Sequence, residues 1–144
     1  MRDIHSGSQV ASLIDSGLYS ADTTPVAVDL KGFKAAEIIL SIGAGGITFT
    51  GTNKVEFKLS HSADGQNYDP VGDDDVLGVS GSGGIIKSLT AAHASATVSR
   101  FGYVGNRRFL KLLADFGGTH ATGTQICATA MLAKALVQPT SDQG

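Results

Sequence analysis

The groups in this chain with most potential for chemistry are four histidines and three consecutive acids, Asp73–Asp75. Consecutive carboxylates cannot all be directed at one ion, and the alternate spacing and terminal glutamate of a calcium loop are missing. The histidines, His5, His61, His93 and His120, lack the H-x-x-x-H or H-x-E spacing from which zinc sites are built. We therefore expect a solvated acidic loop, no metal site and no cofactor.

Motifs for covalent catalysis and for phosphate binding are also missing from the sequence. No G-x-S-x-G motif is present, and the serines lie in glycine-rich turns. The glycine-rich segments 43–46 and 78–84 lack the lysine and the following helix of a phosphate loop. The single cysteine, Cys127, lies in an apolar run, which predicts a buried small hydrophobic residue rather than a nucleophile. The chain is therefore predicted not to be an enzyme.

One cluster combines cations with aromatic rings: Arg100, Arg107, Arg108, Phe101, Tyr103 and Phe109. Such groups can stack on sugar rings or bases, because a ring offers a flat face and arginine a planar fork. The competing interpretation places Phe101 and Phe109 in the core, with Arg107 and Arg108 at an exposed hairpin tip. The chain has no tryptophan, which is the platform that sugar-binding modules most often use.

The length and charge of the chain limit the classes of protein to which it can belong. Its 144 residues correspond to about one domain. A net charge of -2 argues against a nucleic-acid partner, whose phosphates need neutralising. No segment approaches the roughly 20 apolar residues of a membrane span, and no signal peptide is recognisable. We expect synthesis in a host cytoplasm, with neither nucleic acid nor membrane as a partner.

The elements that must position these residues are strands. In residues 54–71, Val55, Phe57, Leu59 and His61 alternate with polar residues, and an Asp-Gly turn follows, which predicts a β-hairpin with one buried face. Residues 96–104 and 108–116 are predicted to pair with each other through a turn at 105–106. The last strand is predicted over residues 124–136, with a helical turn at its end as an alternative.

These runs predict an all-β fold, an antiparallel, jelly-roll-like β-sandwich of about seven or eight strands. An extended N-terminal arm is predicted over residues 1–20, the sandwich over 21–138, and a flexible C-terminal tail over 139–144. The predicted core includes Val28, Leu30, Ile38, Leu40, Phe57, Leu59, Leu110 and Leu112.

The arm contains apolar residues that glycines and serines interrupt, a pattern that does not suit a helix. We expect it to leave the sandwich and pack on a partner subunit. The predicted partner-binding residues are Ile4, Val10, Leu13, Ile14, Leu18, Arg107 and Arg108.

Four sequence segments together support a resemblance. They are A-D-T-T-P-V-A-V-D-L-K-G at 21–32, the apolar run at 37–42, the S-x-D-G turn within 54–68, and G-Y-V-G-N-R-R-F-L-K-L at 102–112, followed by a G-T-H loop. From about residue 20 to residue 136 the chain resembles the capsid decoration, or cement, proteins encoded in the head gene clusters of tailed phages and prophages. The resemblance implies a structural virion protein on the capsid surface, bound to the major capsid protein and stabilising the head against internal DNA pressure.

The oligomeric state follows from the lattice on which such a protein sits. Three capsid subunits meet at threefold and quasi-threefold positions, so we expect a homo-oligomer, with a trimer favoured. The alternative function is a carbohydrate-binding or spike- or tail-associated β-sandwich module, which would use Phe101, Tyr103 and Arg107. The number of copies in purified particles distinguishes the two, because decoration requires hundreds of copies and a spike only a few.

Overall fold

A computed structural model describes residues 3–44, 49–80, 82–91 and 94–140, which form ten strands in two antiparallel sheets. The prediction of an all-β sandwich is confirmed. Within these residues the helical structure consists of short 3-10 turns, none of which could cross a membrane. The strands are β1 (Ser8–Tyr19), β2 (Val28–Asp29), β3 (Phe33–Ile42), β4 (Lys54–Ser62), β5 (Asp69–Pro70), β6 (Val76–Leu77), β7 (Ile85–Leu89), β8 (Thr97–Tyr103), β9 (Phe109–Gly117) and β10 (Thr124–Ala135).

The strand order is that of a jelly roll. Sheet A has the order β1-β10-β3-β8-β6, and sheet B has the order β2-β9-β4-β5, with β7 also paired to β4. The pairs are nested, because β1 pairs with β10, β2 with β9, β3 with β8 and β4 with β7. A long hairpin wound into two packed sheets gives this arrangement. Strands that are distant in sequence therefore become neighbours in each sheet.

The core lies between the sheets and follows the two-residue alternation of the strands. In β4, the buried residues include Val55, Phe57, Leu59 and His61, as the hairpin pattern predicts. Of the predicted core residues, those that are buried are Val28, Ile38, Leu40, Phe57, Leu59, Leu110 and Leu112. Leu30 is half-buried against this core, because it lies in the turn that follows the short strand β2.

The N-terminal segment is not an arm over most of its length. Strand β1 pairs with β10 from Ser8 opposite Ala133 to Tyr19 opposite Thr124, so the prediction that it leaves the sandwich is wrong for Ser8–Tyr19. Two register shifts interrupt the ladder, and a β-bulge turns neighbouring residues to the same side. Leu13 and Ile14, which are adjacent in sequence, are both buried for this reason. The irregular apolar pattern of β1 reflects bulges in an edge strand.

The C-terminal segment is attached to the N-terminus. The backbone N–H of Thr140 donates a hydrogen bond to the carbonyl of Ser6 at 3.0 Å, and its hydroxyl donates to the carbonyl of Ser8 at 2.9 Å. The predicted flexible tail, 139–144, is therefore wrong at Thr140, and residues 141–144 lie outside the described residues.

The predicted pairing of residues 96–104 with 108–116 is also wrong. Strand β8 lies in sheet A beside β3 and β6, whereas β9 lies in sheet B between β2 and β4. The loop at 104–108 therefore passes from one sheet to the other. A short polar turn between two alternating segments is the local signal both for a hairpin and for this crossing, so the sequence does not distinguish them.

Candidate functional site

A cleft of about 590 Å³ opens where β3 and β8 separate. The two strands pair from Ile42 opposite Thr97 as far as Ala36 opposite Tyr103, and no residue of β8 pairs with residues 33–35. The loop at 104–108 forms the facing wall of the cleft. The nested topology thus brings the beginning of β3, the end of β8 and the end of β10 together around one opening.

The cleft is strongly cationic although the chain has a net charge of -2. Five of the 11 lysines and arginines line it: Lys31, Lys34, Arg107, Arg108 and Lys134. The concentration of positive charge at one opening makes this region, which we call the cationic cleft, the best candidate for a ligand site in the described chain.

The two arginines of the cationic cleft are held by carboxylates of the same chain. Arg108 donates to both carboxylate oxygens of Asp29, from Nε at 2.7 Å and from Nη2 at 2.5 Å. These hydrogen bonds lower the pKa of the Asp29 carboxyl and raise the pKa of Arg108. Arg107 donates to Asp69, and this bond raises the pKa of Arg107. Both predicted partner-binding arginines thus line the cleft, but each already has an anionic partner.

The three lysines differ from the arginines in this respect. Among the described residues, no carboxylate forms an ion pair with Lys31, Lys34 or Lys134. Lys134 also has a φ of 55°, a left-handed conformation that is uncommon for residues other than glycine. The charge of Lys31 nevertheless helps to lower the pKa of the nearby Asp29 carboxyl, so Lys34 and Lys134 are the ammonium groups of the cationic cleft that are most available to an external anion.

The buried side chain of Tyr103 holds the loop at 104–108, which forms the wall of the cleft, in place. The hydroxyl of Tyr103 accepts a hydrogen bond from the backbone N–H of Arg107 at 3.2 Å and lies 3.0 Å from Nδ1 of His61. A Cβ on Gly105 would lie 2.6 Å from this hydroxyl, so any larger residue there requires the ring or the loop to shift. Burial raises the pKa of Tyr103 and lowers that of His61.

The predicted group of arginines and rings is divided by the fold. Phe101 and Tyr103 are buried between the sheets, which leaves neither ring face free for a sugar. Phe109 is half-buried outside sheet B, with the guanidinium carbon of Arg108 4.7 Å from its ring centre. Its predicted inward orientation is wrong, because its neighbour Leu110 is the residue that enters the core.

The acids at Asp73–Asp75 form a 3-10 turn and are directed at different groups. Asp73 accepts a hydrogen bond from the hydroxyl of Ser80 at 2.9 Å. Asp75 accepts one from the backbone N–H of Gly72 at 2.9 Å. Within the described part of the chain, no three acidic, histidine or cysteine side chains are grouped as metal ligands, and His93 lies outside that part.

The outer face of sheet A combines apolar with small polar side chains and carries few charges. Residues that are paired across neighbouring strands lie on the same face of a sheet. Three rows of such paired residues cross the outer face: Val10, Met131, Glu37, Gly102 and Leu77; Ser12, Thr129, Ile39 and Arg100; Cys127, Ser41 and Val98. The exposed fraction is 52% for Val10, 58% for Leu77 and 73% for Val98. We call this surface the apolar face. Its two charged side chains, Glu37 and Arg100, pair with each other at 3.5 Å.

The outer face of sheet B is charged instead. Lys54 pairs with Glu56 at 2.7 Å, and Lys58 contacts both Glu56 and Asp115. The ammonium of Lys111 lies 4.1 Å from the ring centre of Tyr68. The two broad surfaces of the sandwich therefore differ in polarity.

The predicted partner-binding residues of the N-terminal segment fall into two groups. Ile4, Val10 and Leu18 are exposed, and partner binding by them stays a prediction. Leu13 and Ile14 are buried in the core, so their assignment to a partner interface is wrong.

Sequence reasoning missed four residues of these surfaces. Cys127, predicted to be buried, is only half-buried, because it faces outward on β10 between the buried Ile126 and Ala128. Lys31 and Lys34 carry a weak local signal, since Lys31 is the lysine of a Lys-Gly turn and Lys34 follows two residues after that turn. Lys134 carries none, because only the strand order brings it to the cationic cleft.

Comparison with known proteins finds a similar solved structure but no matching protein family. No protein-family model matches the chain, and no curated protein sequence matches it. Among solved structures, the crystal structure of SPBc2 prophage-derived protein YomS is similar, with a TM-score of 0.46 and 6% sequence identity. The match covers 87% of this chain and 91% of that chain.

Proposed function

We propose that this chain is a structural virion protein that decorates the outer surface of a phage head and stabilises the shell against the pressure of the packaged DNA. The resemblance of residues 20–136 to capsid decoration proteins supports the proposal. The structural observation that carries it is the apolar face of sheet A. A decoration protein needs a rigid body with one surface that adheres to the shell, and many copies of a modest contact add up.

The apolar face has the properties of a surface that another protein covers. Several large apolar side chains, among them Val10, Leu77 and Val98, are exposed across this one face, and exposed apolar surface is typical of sites of interaction. The pairing of Glu37 with Arg100 allows the face to be covered without leaving either charge alone in the interface. The ion pairs of sheet B suit a surface that stays in water. We assign the apolar face to the shell and the charged face to the solvent.

Edge strand β1 extends this surface towards neighbouring copies. Its exposed residue Leu18 lies at the border of sheet A, and an edge strand is a place where another chain can pair. A trimer at a threefold position of the lattice would place three such edges around one axis. Sedimentation of the free protein, together with a map of the decorated particle, tests the oligomer. Single copies at non-symmetric positions on the particle would contradict it.

The direct test is reconstitution on undecorated heads. Wild-type protein is expected to bind in hundreds of copies, about one for each subunit position on the lattice. Val98→Lys places a charge in the apolar face at a residue that is 73% exposed, so folding is retained and occupancy falls. Ser88→Lys, at an exposed residue of β7 in sheet B, is the matched control and should bind fully.

Two outcomes would count against the proposal. Recovery of only a few copies for each particle would indicate a spike or tail component. Full occupancy by Val98→Lys would show that the apolar face does not contact the shell.

Cys127 provides a second test of the same face, because its thiol lies between Ser41 and the edge strand on the outer surface of sheet A. A thiol reagent such as maleimide should react with free protein and react more slowly with protein bound to heads. Equal rates in both states would contradict docking through this face.

A further inference from the structure

We propose that the cationic cleft binds an extended acidic peptide segment of a partner protein. The inference deepens the proposed function and rests on it only for the source of the segment, which would be a shell subunit. The chemistry of binding is set by the cleft alone.

The first observation is an opening in the backbone ladder of sheet A. In an antiparallel sheet, successive residues direct their N–H and C=O groups alternately to the strands on either side. Strand β10 pairs with Phe33 and Ala35 on one side of β3, but no β8 residue pairs with residues 33–35 on the other. No backbone hydrogen bond joins these residues to the described loop at 104–108. The N–H of Phe33 already donates to the carbonyl of Leu30 at 3.1 Å, so the cleft exposes a short strand edge at residues 34–35. Such an edge is the feature to which an extended peptide adds as a further strand.

The second observation is the charge around that edge. Lys34 belongs to the open stretch itself, while Lys31 lies in the preceding turn and Lys134 near the end of the neighbouring strand β10. None of the three forms an ion pair within the described chain. A peptide with carboxylates on alternate residues would present them on one face of a strand, where the lysines can reach them.

The third observation is that the cleft is held open before any ligand arrives. The far wall is fixed by the hydrogen bond from the Arg107 N–H to Tyr103, and by a bond from the Val104 N–H to the Asp75 carbonyl at 2.8 Å. The left-handed backbone of Lys134 shows that the surrounding structure imposes its conformation. A preformed site lowers the entropy cost of binding.

A peptide fits these features better than a nucleic acid does. Single-stranded nucleic acids bind by stacking their bases on aromatic rings above a cationic groove. The two rings that line this cleft are Phe33, which is half-buried against the core, and Tyr103, which is buried, so neither presents a free face as such a platform.

Fluorescence anisotropy with a labelled peptide of alternating glutamate and alanine, about six residues long, tests the site. Wild-type protein should bind it at low salt and should not bind the matching glutamine peptide. Lys34→Glu and Lys134→Glu should each weaken binding by about tenfold or more. Lys87→Glu, the same change of charge on β7, is the matched control and should bind like wild type. Equal binding by Lys34→Glu and wild type would overturn the proposal.

Amide hydrogen exchange separates strand addition from simple charge attraction. The glutamate peptide should slow the exchange of the Lys34 or the Ala35 amide, because the Phe33 N–H is already bonded to Leu30. Unchanged exchange at saturating peptide would overturn the strand-addition geometry. Binding of an oligo-thymidine probe in preference to the peptide would overturn the choice of ligand.

The outcome for the cleft can be separated from that for the proposed function. Heads that bind Lys34→Glu at full occupancy, but reject Val98→Lys, would overturn the cleft's role in attachment while leaving decoration intact. Peptide binding by a protein that no head accepts would support the site and contradict its assignment to a shell.

Discussion

Nδ1 of His61 lies 3.0 Å from the hydroxyl of Tyr103, and the pair joins β4 of sheet B to β8 of sheet A across the core. The rings are nearly perpendicular, with centres 5.9 Å apart. The same hydroxyl accepts the hydrogen bond of the Arg107 N–H. A tyrosine hydroxyl can accept one bond and donate another, so donation from Tyr103 to a neutral His61 satisfies all three groups. The wall of the cationic cleft therefore depends on a contact inside the core.

The stability of the fold should decrease with acidification because of His61. Burial lowers the pKa of His61 in the folded state, whereas the unfolded chain binds a proton near pH 6.5. The unfolded state thus holds more protons below that pH, and the free energy of unfolding falls from about pH 7 towards the folded pKa. Urea unfolding of wild type and His61→Gln at about pH 7.5, 6 and 5 measures this. The variant should show a flatter dependence, and an unchanged slope would contradict the assignment.

Replacing Gly105 by alanine should dislodge the wall of the cleft. A Cβ there would meet the Tyr103 hydroxyl at 2.6 Å, so either the loop or the ring must move. We expect a loss of about 1–3 kcal/mol in the free energy of unfolding, measured by denaturant titration. Gly51→Ala is the matched control, because no atom lies within 4 Å of the added Cβ. Because the ring carbons Cε2 and Cζ of Tyr103 would also lie 2.7 Å from the added Cβ, Tyr103→Phe should leave the clash in place. A loss in Gly105→Ala no larger than that in Gly51→Ala would refute this mechanism.

The core of sheet B should respond strongly to a cavity. Leu59 is 1% exposed, and Leu59→Ala is expected to cost about 2–5 kcal/mol in thermal or denaturant unfolding. Leu77, with 58% exposure, gives the same chemical change on the surface. Leu77→Ala should shift the free energy of unfolding by less than about 0.5 kcal/mol. Similar losses in the two variants would mean that the register of β4 is misassigned.

Regular alternation explains which parts of the fold were predictable from sequence. In β4 the apolar residues recur at every second position, so the face containing Phe57 and Leu59 was identified correctly. In β1 the bulges place two successive apolar residues, Leu13 and Ile14, on the same side, and the alternation on which a prediction depends disappears. The choice between a hairpin and a crossing after β8 depends on which sheet offers a partner, and that is decided by contacts distant in sequence.

The candidate site was less predictable than the fold for a related reason. Arg107 and Arg108 stand out as neighbours in the sequence, but Asp69 and Asp29, which bind them, are separated from them by long stretches of chain. Lys34 and Lys134 become neighbours around one opening only through the pairing of β3 with β10. A binding surface assembled from several strands has no short motif by which to recognise it.

Two leucines of β1 provide the sharpest test of the N-terminal segment, because they are alike in sequence and opposite in burial. Leu13 is 2% exposed in the core, while Leu18 is 66% exposed on the surface. If residues 1–20 formed a separate arm, neither leucine would affect the stability of the free protein. Strand β1 instead predicts that Leu13→Ala lowers the free energy of unfolding by about 2–5 kcal/mol and that Leu18→Ala changes it little. Denaturant titration of the free protein measures stability, and binding to heads is measured separately. Leu18→Ala should weaken only attachment if this residue contacts a partner.

Two outcomes would contradict the pairing of β1 with β10. Wild-type stability in Leu13→Ala would support a separate N-terminal arm, and equal destabilisation by both variants would contradict the observed register of β1 with β10.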